Sequence, residues 1–171
     1  MIKSLNTLTP EINEHTFIAE NAVVIGDVHI GEGSSVWYGS VLRGDVAPIR
    51  VGKKTNIQDL CIFHSDHGLI LEIGDAVTIG HSCIIHGTKI LGHSIIGMGS
   101  ILLNGSVIEK NTILGAGSLV TEGKVVKEGE LWMGRPAKFI RNLTPEEVLK
   151  IEASAENYYQ NGLTHKGENN D

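Results

Sequence analysis

Aliphatic side chains return every six positions along most of this chain. The series runs Ile18, Val24, Ile30, Val36 and Leu42. It resumes as Val51, Ile57 and Phe63, again as Ile73, Ile79 and Ile85, and then as Ile90, Ile96, Leu102, Ile108, Leu114 and Val120. Small residues often sit four places later, as in Ser34, Ser40, Thr55, Cys61, Cys83, Ser100, Ser106, Thr112 and Ser118. A period of six matches neither a helix nor an alternating strand. It predicts short parallel strands joined by tight turns, with three strands to a coil. Each coil buries its aliphatic residues inward and pairs its backbone with the coils above and below. Each buried Ile, Val or Leu contributes roughly 1.5–3 kcal/mol, so stacked coils stabilise one another where a single coil would not.

The period breaks in three places. Extra residues fall around Ala47-Pro48-Ile49 and in Ser65–Leu71, and both stretches are predicted surface loops. One residue is missing between Ile85 and Ile90. Near the end, Thr144-Pro-Glu-Glu147 has the pattern of a capping box with proline in the first helical position. A helix is predicted to about Tyr159, packing through Val148, Leu149, Ile151, Ala155 and Tyr158, with Asn161 and Gly162 ending it. The expected organisation is an all-β coil domain over 1–143, a helix over 144–160 packed on it, and a polar, disordered tail over 161–171.

The period also says which side chains stack. Allowing for the inserted residues, His64 and His86 each follow their aliphatic residue on adjacent coils of one face, and Arg43 lies directly below His64. Adjacent coils are ~4.8 Å apart, close enough for both imidazoles to reach one metal. Asp59 and His81 form a second column, one third of a turn away on a different face. His81 therefore falls short of that metal within one chain. A three-fold assembly would bring one subunit's His81 to its neighbour's His64 and His86, and Asp59 to the neighbour's Arg43. Three imidazoles are a sufficient ligand set for a catalytic zinc with an open fourth position.

Composition narrows the class. The 171 residues are 41% hydrophobic and only 5% aromatic, with 21 glycines, which fits a core of small aliphatic side chains. A net charge of −6 argues against a nucleic-acid partner. Two cysteines make no disulfide framework, so a reducing, cytoplasmic setting is expected. Cys61 and Cys83 stack at small inward positions, as core residues would. No run approaches the ~18 apolar residues of a membrane span. Of the other histidines, His15, His29, His93 and His165 read as surface groups, and His67 lies in the second loop, available to relay protons.

The motifs Arg43-Gly-Asp45, Asn56-Ile-Gln-Asp59, Phe63-His64, Gly80-His81-Ser-Cys-Ile-Ile-His86-Gly, Ile96-Gly-Met-Gly-Ser and Met133-Gly-Arg-Pro136 resemble the gamma-class carbonic anhydrases. The resemblance spans roughly residues 10–160. It implies a left-handed parallel β-helix, a homotrimer with the metal shared between adjacent subunits, and His64, His81 and His86 as ligands. It implies that Gln58 positions metal-bound water or bicarbonate, and that Arg43, Asp45 and Asp59 form an inter-subunit network. It also implies a pocket tyrosine on the C-terminal helix, at Tyr158 or Tyr159. The reaction implied is reversible hydration of CO2 to bicarbonate by a metal-bound hydroxide. Zinc is the default metal, and three imidazoles also suit Fe2+ or Co2+. Val46 stands where the family archetype has a glutamate, and the short loop offers only Asp66 and His67 for proton shuttling. The alternatives are metal-dependent hydrolysis of a small thioester or ester, a metal-stabilised trimer of low activity, and acyl transfer from coenzyme A, which needs one catalytic histidine and a cofactor groove.

Overall fold

The computed structural model describes residues 1–168. They form a left-handed parallel β-helix of about seven coils with one C-terminal helix. Every member of the six-residue series from Val24 to Val120 lies inside, at 2% exposure or less. Ile18, aligned with the buried Val36, is only half-buried. The small residues four places on are buried with the series, since a larger side chain at a coil corner would meet the coil above. The period also runs two steps beyond Val120, through Val126 and Trp132.

Coils stack in register. On one face Val41, Ile62, Ile84, Ile101 and Leu119 are aligned partners, as are Leu42, Phe63, Ile85, Leu102 and Val120. The second set is the core, and the first is half-buried or exposed. On another face Asn56, Thr78 and Ile95 align, as do Ile57, Ile79 and Ile96. One corner between these faces is turned by Gly39, Leu60, Ser82, Gly99 and Gly117, all at positive φ. Leu60 and Ser82 adopt that turn at 61° and 59° without glycine's freedom, which costs about 1–2 kcal/mol each. They directly follow Asp59 and His81.

The first interruption is not a loop. Val41–Val51 is a single strand that turns a corner, pairing with Ile62–His64 before the bend and with Leu71–Ile73 after it. The register slips opposite Gly26 and Val28, so the extra residues are absorbed as a bulge, and Ile49 is fully buried. A bulge is one of the few places where a strand accepts proline, which accounts for Pro48. The second interruption is a loop over residues 65–70, though Leu71 already belongs to the next buried strand.

Helix α1 spans Pro145–Lys166 and starts at a capping box made by Thr144 and Glu147. It runs past the expected stop. Gly162 is a contact residue, where an added Cβ would sit 3.4 Å from the Cβ of Phe17, and the left-handed cap is Gly167. The stretch expected to begin the disordered tail is thus the last turn of the helix. Residues 169–171 of that tail lie outside the described residues. Ile151, Ala155 and Gly162 are buried against the prism. Among the described residues no helix is long and apolar enough to cross a membrane.

Candidate functional site

His64 and His86 are aligned partners on the strands Ile62–His64 and Ile84–His86. Their ring centroids are 5.3 Å apart, and Nδ1 of His64 faces Nε2 of His86 at 3.3 Å. Each outer nitrogen has a partner of its own. Nε2 of His64 lies 3.1 Å from Asp45 Oδ1, and Nδ1 of His86 lies 2.7 Å from Asn104 Oδ1. Both partners are acceptors, so both outer nitrogens carry the protons. Two lone pairs are then left facing one another. That arrangement is relieved by a proton or by a cation bound between the rings, so the pair fits a metal on the chemistry of its own hydrogen bonds.

His81 stands on the corner turn with Ser82, not on a flat face. Its Nδ1 lies 2.8 Å from Asp59 Oδ2, which leaves Nε2 as the free lone pair. Among the described residues of one chain, no three His, Cys, Asp or Glu side chains converge on a common point. The acidic partners are also held within the chain. Arg43 pairs with Asp45, and Asp59 pairs with His81. Partial burial pushes the Asp45 carboxyl up, but hydrogen bonds from Arg43, its own backbone and His64 together hold it below the usual range.

Gln58 is buried, and its Nε2 donates to Asn56 Oδ1 at 3.3 Å. Asn56 Nδ2 donates to Thr78 Oγ1 at 2.9 Å, and Thr78 meets Ser154 of α1 at 2.9 Å. The helix is thereby tied to the amide of Gln58. One turn later Tyr158 packs edge-on against Trp37, with centroids 5.5 Å apart. Burial, helped by the Asp59 carboxylate, pushes its phenol up. Tyr159 lies elsewhere, under the ammonium of Lys54 at 4.8 Å. Cys61 and Cys83 are free and buried, each directed at a backbone carbonyl, and the Cys83 thiol together with burial pushes Cys61 up.

Two features escaped the sequence reading. Asn104 lies one coil beyond His86 but in the neighbouring column, above Gly87, so extending the histidine period upward leads to Leu103 and not to Asn104. Asn56 sits inside a recognised motif, but its work of orienting Gln58 becomes visible only with the side chains in place. Beside the histidine pair the exposed side chains of Ile62 and Ile84, with Leu60 and Met98 at the corner, make an uncovered apolar strip. A groove of about 500 Å³ lies elsewhere, lined by His29, Arg50, Lys53, Glu72 and Asp75 among others. Arg50 and Lys53 there are already paired with Asp27 and Glu32.

The bacterial transferase hexapeptide family (six repeats) matches residues 9–44. Gamma carbonic anhydrase 2, mitochondrial, of Arabidopsis thaliana is 48% identical over 94% of this chain, and the chain spans 60% of that protein's length. A carbonic anhydrase of Geobacillus kaustophilus is 42% identical, with 97% of this chain and 91% of the relative covered. Among solved structures, a hexapeptide transferase family protein from Anaplasma phagocytophilum superposes with a TM-score of 0.91 at 48% identity, covering 95% of this chain and 96% of the other. The N-acyltransferase AntD of Bacillus cereus, at 16% identity and a TM-score of 0.68, shares the fold alone.

Proposed function

Since the chain belongs to the gamma carbonic anhydrase family, we propose that it is a metal-dependent enzyme for the reversible hydration of CO2, with each site shared between two subunits of a homotrimer. The observation that carries this reading is the hydrogen bonding of the three histidines. Asp45, Asn104 and Asp59 each hold one ring nitrogen, which leaves the other nitrogen of His64, His86 and His81 as a lone pair. Two of these lone pairs face each other within one chain, and the third stands at a corner beside the exposed apolar strip of Leu60, Ile62, Ile84 and Met98. Covering that strip with a second copy brings a neighbour's His81 to the pair. A zinc ion held by the three would supply a Lewis acid that brings the pKa of its water to about 7, and Fe2+ or Co2+ suits the same ligands.

The remaining residues position and protect. Gln58, with its NH2 group engaged by Asn56, presents its carbonyl as an acceptor for a water or for the OH of bicarbonate. Tyr158 stays a neutral phenol through neutral pH and offers a donor. Hydration releases one proton per CO2, and the exposed Asp66 and His67 of the 65–70 loop are the groups placed to take it to solvent.

The test is metal analysis of anaerobically purified protein followed by stopped-flow CO2 hydration on the same sample. Bound metal with hydration that disappears in His81→Ala is the expected result. Fully metallated protein, prepared with zinc and separately with iron, that hydrates no CO2 would overturn it. Hydrolysis of small thioesters by that same protein would then make it a metal-dependent hydrolase.

A further inference from the structure

Asn104 belongs to no recognised motif of the chain, yet it is the partner of a proposed metal ligand. It accepts from His86 Nδ1 at 2.7 Å, and its own Nδ2 donates to Asp66 Oδ2 at 2.7 Å. Asp66 lies on the 65–70 loop. That loop is folded back on itself by a hydrogen bond from Ser65 Oγ to the Leu69 carbonyl and by another from Leu69 N to the Asp66 carbonyl. Space for the amide comes from Gly87, where an added Cβ would lie 2.2 Å from Asn104 Oδ1.

The direction of the amide follows from Asp66. A carboxylate only accepts, so the NH2 group must face Asp66 and the carbonyl must face His86. The carbonyl in turn demands a proton on His86 Nδ1, which leaves the lone pair on Nε2, toward His64. Turning the amide over would set oxygen against carboxylate and put the wrong nitrogen of His86 in the protonated state. We propose that Asp66 and Asn104 are positioning residues that lock His86 in its metal-presenting tautomer, so that the surface loop determines how well the site holds metal. This rests on the reading of His64, His81 and His86 as ligands.

The experiment is zinc affinity of the full-length protein by chelator competition, with subunit assembly followed by sedimentation and folding by thermal unfolding. In Asn104→Leu, affinity should fall about 10–100-fold, as for other outer partners of metal-bound histidine, while the protein stays folded. Asn104→Asp places two carboxylates together, and it should also bind zinc less well than the wild type. The double variant Asp66→Asn with Asn104→Asp restores donor facing acceptor in the opposite order, and should regain most of the loss. A purely structural role would not predict that rescue. Gly87→Ala should reproduce the loss by crowding the amide. If the wild type binds zinc and Asn104→Leu binds it equally well, the inference fails. If the swapped double variant binds no better than Asn104→Asp alone, the inference fails as well. If the wild type itself binds no zinc, iron or cobalt, the ligand assignment has failed first.

Discussion

An imidazole gives a metal one nitrogen, and the group on its other nitrogen decides which one and how firmly. Here that group is a carboxylate for His64 and His81 and an amide for His86. Asp59→Ala should therefore lower zinc affinity about 10–100-fold without preventing assembly, as measured by chelator competition and sedimentation. Ile85 tests the other requirement of the site, which is a rigid floor. It is fully buried immediately before His86, and Ile85→Ala should cost about 2–5 kcal/mol of stability in denaturant unfolding. The histidine columns were legible from spacing because each residue's offset from its inward aliphatic neighbour fixes its height and direction. Asn104 stands one place past that offset, in register with Gly87, and was missed because asparagine at a coil surface is chemically ordinary. Only the direction of its amide, set by Asp66, gives it a role.

At the level of elements, turn chemistry and packing account for what spacing did not reveal. Pro48 and an irregular interval suggested a loop, but a bulge accommodates both within the Val41–Val51 strand, keeping Ile49 inside. Asn161-Gly162 spelled a helix stop, but Gly162 lies inside α1 because its missing side chain lets the helix approach Phe17. The start of α1 was readable because a capping box is local. Thr144→Ala should cost about 0.5–2 kcal/mol, measurable by chemical denaturation. Arg141 grips both oxygens of Glu147 at 2.7 and 2.8 Å, and this pairing, helped by the Thr144 backbone, holds the Glu147 carboxyl down at about 2 from an ordinary 4.5. The depressed folded value fixes the sign. The stabilisation is complete above about pH 4.5 and is lost as pH falls toward 2. Helicity followed by circular dichroism should decline across that window and be less acid-sensitive in Arg141→Ala, whose baseline is already lower.

For the whole molecule, the separation of His81 from the His64 and His86 pair makes complementation the decisive experiment. His64→Ala and His81→Ala chains should each lack hydratase activity alone. Co-expressed, random assortment in a closed ring should rebuild about a quarter of the sites, each taking its pair from one variant and its corner histidine from the other. Recovery of activity only with wild-type chains would refute a shared site. The same stacking has a consequence for length. The coils are interchangeable storeys, because each presents the one above with the same backbone edge, and Lys89–Ile90, Val107–Ile108 and Val125–Val126 stand in one vertical line. Every group assigned here to the histidine centre lies on storeys up to Asn104 or on α1, whose polar ties reach Lys54 and Thr78. Excision of residues 107–124 joins Ser106 to Val125 without changing the vertical alignment, so the shortened tower should keep its metal while melting at a lower temperature. Height in this architecture is an adjustable dimension, separate from the chemistry carried on its lower floors.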